Sequence, residues 1–83
     1  MTKRAYIELA RNMPLGAEGI AAIRAILANS QAQKVNEVFV DSLTASVIIR
    51  IYDRLGADNQ AKLVSKPVAQ VVDICFRIIN KVA

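Results

Sequence analysis

The last helix of the chain, which ends in the segment VVDICFRIINKVA, limits the possible folds more than any other feature. Drawn as a helix at about 100° per residue, its apolar positions cover about 200° of the helix surface and leave only a narrow polar strip. The apolar positions are Val68, Val71, Val72, Ile74, Cys75, Phe76, Ile78, Ile79 and Val82. The polar strip consists of Gln70, Asp73, Arg77, Asn80 and Lys81. Because one packed face uses about 100° to 140°, this helix has to be covered on more than one side.

Two interpretations of this wide apolar face remain open. In the first, the helix is the centre of the domain and the other helices surround it completely. In the second, one shoulder of the helix, either Ile74 with Ile78 or Phe76, lies on the outside and binds a second copy or another protein, because exposed apolar patches mark interfaces. Closed two-fold dimers are the commonest homo-oligomers, so self-association is the first form of binding that we expect.

The composition indicates a small intracellular protein whose hydrophobic content is high for so short a soluble chain. The chain has 83 residues, enough for a single domain over residues 1–83, and 54% of them are hydrophobic. No apolar run approaches the roughly 18 residues of a membrane span, because Arg50, Asp73 and Arg77 interrupt the longest runs. The first residues, MTKRAYIELARN, carry charges where a signal peptide has its apolar region, and the chain has one cysteine. We therefore expect a cytoplasmic, disulfide-free protein without membrane contact.

Residue types that are missing from the chain exclude several kinds of chemistry. The chain has no histidine and a single cysteine, which rules out a histidine-dependent catalytic triad, a histidine metal site and a thiolate zinc site. It also has no glycine-rich phosphate-binding motif. We expect no catalytic residue, no metal and no cofactor, and therefore a protein that is not an enzyme. The net charge of +4 attracts anions only weakly.

Helical periodicity and capping residues predict the first two helices. The first runs over residues 3–12, with Tyr6, Leu9, Ala10 and Met13 at helical spacing, and has Thr2 as its N-cap. The second begins near Gly16 and Gly19 and continues to Asn29.

The clearest predicted helix begins at Asp41 or Ser42, either of which is an acceptable N-cap, and ends at Leu55. Gly56 follows it at the position of a left-handed C-terminal cap. A short helix capped by Asp58 comes next.

The segment over residues 33–40 fits two kinds of structure. Val35, Val38 and Phe39 have helical spacing, whereas the β-branched residues suit a short strand; we favour a helix. Pro67 opens the last helix as its first residue. The result is an all-α fold, a small bundle of four to five helices.

The helix over residues 43–55 also has more apolar surface than one packed face uses. Ile49 lies outside its main stripe, and Arg50 and Arg54 stand one turn apart, with Asp53 placed to reduce their repulsion. We predict a protein-binding surface formed by the shoulders of the last helix and an exposed Ile49, with the two arginines as a polar rim. The predicted interface residues are Ile49, Arg50, Arg54, Ile74, Phe76 and Ile78.

Residues 44–66 suggest an alternative function, because a helix, a glycine turn and a short polar helix follow one another as in a helix-turn-helix reader of DNA. The residues that would contact nucleic acid are Asn59, Gln60, Lys62 and Lys66. Amide side chains read adenine edges and lysines contact phosphates. Asp58 would point a carboxylate toward the phosphates, which favours the simpler interpretation of a polar connection between helices.

The tract VDSLTASVIIRIYDRLGADNQAKL, followed by an apolar helix, resembles small uncharacterised proteins encoded by bacteriophages. The matching features are Thr44-Ala45-Ser46, Tyr52-Asp53, and Asn59 followed by Lys62, within residues 40–80. The resemblance brings no activity and no site residue with it. It implies a phage accessory protein in the host cytoplasm that binds a host or virion protein. Together with the apolar surplus, this leads us to expect a homo-oligomeric helical interaction protein.

Overall fold

The structure is a computed structural model that describes residues 1–82, with side chains to residue 81. This part of the chain folds into five helices and one β-hairpin. The elements are α1 (Lys3–Asn12), α2 (Gly16–Asn29), β1 (Gln33–Val35), β2 (Val38–Val40), α3 (Ser42–Arg54), α4 (Ala57–Val64) and α5 (Val68–Val82). The predicted helical bundle is confirmed as a mostly helical fold, although the hairpin means that the fold is not purely all-α. Each of these helices is too short or too polar to cross a lipid bilayer.

The first two helices have the predicted bounds. The Thr2 hydroxyl caps α1 by accepting a hydrogen bond from the Ala5 backbone N–H at 3.1 Å. The left-handed φ of 68° at Gly16 turns the chain into α2, a conformation that glycine adopts without strain. At the other end of α2, Ser30 has a left-handed backbone, and its N–H returns to the carbonyl of Ile26.

The predicted helix over residues 33–40 is wrong, because this segment is an antiparallel hairpin. Val35 pairs with Val38 across a two-residue turn in which Asn36 and Glu37 have φ values of 49° and 61°. Positive φ at both central residues is the requirement of a type I′ turn, and it cannot be accommodated in a right-handed helix. Alternation supports the strands, since Val35 and Val40 are buried whereas Lys34 is exposed.

The connection between α3 and α4 differs from the prediction in its capping. Asp41 is the N-cap of α3, as one of the two predicted alternatives had it, and accepts from the Thr44 N–H at 2.7 Å. Leu55 ends α3 in an extended conformation. Gly56 then has a φ of −69° and is the N-cap of α4, so its predicted role as a left-handed cap is wrong. Asp58 lies inside the first turn of α4 and does not cap it.

Pro67 stands one residue before α5 and is not its first residue. Its carbonyl accepts hydrogen bonds from the N–H groups of Gln70 and Val71, which is the behaviour of an N-cap position. The preceding Lys66 carbonyl accepts from the Leu15 N–H at 3.0 Å. This bond ties the linker between α1 and α2 to the linker between α4 and α5.

The hydrophobic core lies where α3 packs between α2 and α5. Its largest fully buried side chains are Ile23, Ile26, Ile48, Val40, Val68, Val71 and Cys75. Cys75 is completely buried and serves as a small apolar residue of the core. At the start of α3, Val40 and Ala45 are both completely buried on either side of the cap, as in a hydrophobic staple.

Candidate protein-binding surface

Large apolar side chains remain exposed on this molecule, and they are concentrated toward its amino terminus. The exposed large apolar residues are Met1, Tyr6, Leu9, Met13, Leu27, Phe39 and Leu43. Tyr6 and Leu9 are each 55% exposed and Met13 is 49% exposed. Tyr6 and Leu9 lie on α1 and Met13 is its C-cap residue, so the three follow one another at helical spacing, and we refer to them as the apolar stripe.

A groove of about 310 Å³ runs between the apolar stripe and the turn of the hairpin. It is lined by Tyr6, Leu9, Ala10, Met13, Lys34, Asn36 and Glu37. We call this feature the α1 groove. One of its walls is apolar, and the other is formed by polar side chains.

Two hydrogen bonds hold the carboxyl end of α1 against the hairpin turn. The Arg11 Nε donates to the Glu37 carbonyl at 3.1 Å, and the Asn36 amide donates to the Pro14 carbonyl at 3.2 Å. Ala10 is the single residue of α1 that is buried, and the helix also contacts α5. These contacts fix the position of α1 and leave its stripe uncovered.

Phe39 adds to the exposed apolar surface on the hairpin. It pairs with Lys34 across the hairpin, so both side chains project from the same face of the two strands. Phe39 therefore shares a face of the hairpin with Lys34, which lines the α1 groove, although Phe39 is not itself a lining residue. The ring is 67% exposed and is one of the largest uncovered apolar groups in residues 1–81.

The predicted interface on α3 and α5 has less free apolar surface than expected. Ile49 is 7% exposed and belongs to the core, so the prediction of an exposed Ile49 is wrong. The reason is that α2 and α5 both pack against α3 and together cover more of it than one stripe. Ile74, Phe76 and Ile78 are half-buried and pack against the core, which leaves part of each shoulder accessible.

The two arginines of the predicted rim are exposed, but Asp53 does not lie between them as a partner. Its carboxylate accepts hydrogen bonds from Arg24 of α2 at 2.6 and 3.3 Å. These hydrogen bonds hold the pKa of Asp53 below its usual value. The Arg24 guanidinium also lies 5.9 Å from the centre of the Tyr52 ring. Arg50 and Arg54 form no ion pair within the described chain.

The residues of the nucleic-acid alternative lie on α4 and just after it. Asn59 and Lys62 are exposed, and Lys66 is half-buried. The Gln60 side-chain amide donates to the Tyr52 carbonyl at 2.8 Å, and this carbonyl at the end of α3 also accepts from the Leu55 N–H at 3.1 Å. Gln60 therefore has a structural role that competes with reading a base.

The sequence patterns identified the helical spacing of the apolar stripe but did not identify its exposure. Tyr6, Leu9 and Met13 have the same periodicity as core positions. The available signal was the small size of Ala10, the one buried residue of α1, which is too small to fill a deep contact. Phe39 was missed for a different reason, since a strand and a helix place it on different faces.

The thiol of Cys75 is buried and therefore inaccessible to reagents and substrates. Burial raises the pKa of the Cys75 thiol to about 11, so the thiol is neutral at physiological pH. No group of three or more His, Cys, Asp or Glu residues in this part of the chain is arranged to hold a metal ion.

Comparison with known proteins finds no match. No family model, no curated protein and no solved structure is similar to this chain.

Proposed function

We propose that this is a small non-enzymatic interaction protein that acts by binding protein partners, including a second copy of itself, through the apolar stripe and the α1 groove. The observation that carries the proposal is the exposure of Tyr6 and Leu9 on α1 together with Met13, the C-cap residue of the same helix. Contiguous exposed apolar surface on a small protein marks a binding site, whereas single scattered residues do not. Aromatic residues and methionine are also enriched at interfaces.

Fold stability does not account for these residues. None of Tyr6, Leu9 and Met13 belongs to the hydrophobic core cluster, and none of them is among the partly buried side chains that pack against it. The hairpin turn holds α1 through Arg11 and Asn36, without help from the stripe. A function in binding explains why the chain keeps these large apolar side chains.

The interface predicted on α5 stays part of the proposal as a secondary contact. Ile74, Phe76 and Ile78 each keep some accessible surface, and Arg50 and Arg54 are free to meet an anionic group. The phage-like tract over residues 40–80 supports a host or virion protein as the further partner and the host cytoplasm as the location.

The proposal is tested by comparing the parent with a triple variant, Tyr6→Ser, Leu9→Ser and Met13→Ser. Each protein is immobilised in turn, and bacterial lysate and the protein's own purified form are passed over it. We expect the variant to unfold at the same midpoint as the dilute parent, since the replaced side chains lie outside the core. We also expect the immobilised variant to retain at least tenfold less protein than the immobilised parent. Equal retention by the folded variant would refute the proposed surface.

Nucleic-acid binding is the alternative, and the free cations Arg50, Arg54 and Lys62 support it. Gln60 counts against it, because its amide is already bound to the Tyr52 carbonyl. Titration of the protein into labelled duplex DNA distinguishes the two functions. Binding that weakens steeply between low and moderate salt would favour the alternative, because released counterions make phosphate contacts salt-dependent.

A further inference from the structure

The shape of the apolar stripe is that of a helix-packing seam. Tyr6, Leu9 and Met13 are separated by three and four residues, and at about 100° per residue they fall within an arc of about 60°. Alternating spacings of three and four are those of residues that meet another helix along its length. The α1 groove beside the stripe gives a partner helix room to lie close to α1.

The charges of α1 lie on one side of this seam, with Lys3 nearest to it. On the same projection, Lys3, Arg4, Glu8 and Arg11 lie between about 60° and 200° from Tyr6. The flank next to Leu9 on the other side consists of Ala5 and Asn12, which are uncharged. A partner that approaches the stripe from this flank meets no charge on α1.

The opposite wall of the groove carries no net charge either. The Lys34 ammonium and the Glu37 carboxylate form an ion pair at 3.8 Å, so the two charges offset each other. A strongly acidic or basic partner would therefore gain nothing from either wall, and it would lose hydration on binding. The chemistry of the groove suits an apolar, uncharged helix face.

We propose that this face is the stripe of a second copy, packed antiparallel to the first across a two-fold axis near Leu9. The proposal rests on the proposed function and names one partner for its surface. In this arrangement Tyr6 of each copy lies against Met13 of the other, and a methionine sulfur next to an aromatic ring is a favourable contact. Arg4 and Arg11 of the two copies stay on the outer sides, so like charges are not brought together.

The size of the surface sets the strength of this dimer. Three half-exposed side chains per copy supply much less than the roughly 800 Å² per partner of a stable complex. Contacts in the groove and at Phe39 add to this area without making it large. We therefore expect a dimer whose population depends on protein concentration.

The first experiment measures the solution mass by sedimentation equilibrium from roughly 10 µM to 1 mM, the range in which weak complexes form. We expect the parent to rise from the monomer mass of 9.1 kDa toward twice that value. Leu9→Glu should remain a monomer throughout, because two carboxylates meet at the axis. Leu43→Glu is the matched control, since Leu43 is 69% exposed on α3, outside the stripe, and it should behave as the parent does.

A second experiment tests the two-fold geometry. Equimolar Leu9→Glu and Leu9→Lys should associate when mixed, although each alone is a monomer, because opposite charges then meet at the axis. Under mild oxidation the Leu9→Cys variant should form a covalent dimer at least tenfold faster than Leu43→Cys. The native Cys75 does not interfere, since it is completely buried.

Three results overturn the inference: a parent that is monomeric over the whole series, a Leu9→Glu variant that associates like the parent, or equal crosslinking of the two cysteine variants. The proposed function fails by a different result, which is equal retention of partners by the triple serine variant. If the parent is monomeric and retains a lysate protein that the triple serine variant does not retain, the proposed self-pairing is wrong and the proposed binding function stands.

Discussion

Helices α1 and α3 share the same sequence features, a side-chain N-cap and an apolar stripe, but they differ in how far the rest of the chain covers them. Each begins at a side-chain cap that accepts from the third residue of the helix, Thr2 in one and Asp41 in the other. Each has an apolar stripe. However, α3 buries five residues between α2 and α5, whereas α1 buries Ala10 alone. The comparison shows that an amphipathic pattern determines which face of a helix needs a cover, and that the fold determines whether the cover comes from the same chain.

The largest expected difference between the two helices is in the cost of removing an apolar side chain. Ile48 of α3 is completely buried, so Ile48→Ala should lower the free energy of unfolding by about 2–4 kcal/mol through lost burial and the cavity that remains. The matched change on α1, Leu9→Ala, should stay within about 0.5 kcal/mol. Urea unfolding at low protein concentration, where association does not contribute, measures both.

If Leu9→Ala were as costly as Ile48→Ala in the dilute protein, α1 would be covered by its own chain, and the comparison would collapse. If Leu9→Ala lost stability only at high protein concentration, the loss would report the second copy, because association stabilises the folded state by mass action.

Removing the N-cap should also cost more stability in α3 than in α1, but the difference should be smaller than for the apolar side chains. Asp41→Ala should lower the urea midpoint at pH 7, because it removes the cap of the helix at the centre of the core. Thr2→Ala should leave the midpoint nearly unchanged and instead speed hydrogen exchange in α1, which can fray without opening the core.

The effect of Asp41 should also depend on pH. The hydrogen bonds that its carboxylate accepts from Thr44 hold the pKa of Asp41 below its unfolded value of roughly 3.9. A depressed pKa stabilises the folded state above the unfolded pKa, and this contribution is lost as the pH falls through the folded pKa. The midpoints of the parent and Asp41→Ala should therefore differ at pH 7 and converge near pH 2. A difference that stays constant with pH would assign the effect to helix propensity and exclude the carboxylate.

The contrast between α1 and α3 also shows how far the sequence predicts this molecule. Caps and periodicity located α1 and α2 correctly, because these signals are local. The exposure of Tyr6 and the burial of Ile49 were not predictable, since both depend on how many neighbours the fold places around a helix. The apolar surplus of the chain was recognised correctly, but it lies mainly on α1 and the hairpin, and the wide face of α5 is largely covered.

The hairpin was missed because its signal is short. Its strands have three residues each, and the spacing of Val35, Val38 and Phe39 also fits a helix. The turn sequence Asn36-Glu37 has asparagine, which tolerates a left-handed backbone, but lacks the glycine that makes such turns recognisable. The α1 groove could not be predicted for the same reason, because one of its walls is the hairpin turn.

That turn provides the smallest and most specific prediction. Glu37 has a φ of 61°, where its Cβ is strained by about 1 kcal/mol. Glu37→Gly removes the strain but makes the unfolded chain more flexible, which costs part of the gain. The net result should be a stabilisation of about 0.5 kcal/mol in urea unfolding, with the Arg11 contact kept because it uses the backbone carbonyl.

Glu37→Ala is the control that separates backbone strain from charge. It removes the ion pair with Lys34, as the glycine variant does, but keeps the Cβ and therefore the strain. An exposed pair of this kind contributes little, so the alanine variant should be close to the parent. If both variants were destabilised equally, the ion pair rather than the backbone would hold the turn. The shape of this groove wall would then depend on the salt concentration. A turn held by its type I′ backbone instead keeps its shape as the ionic strength changes, and so presents the same surface to a partner helix.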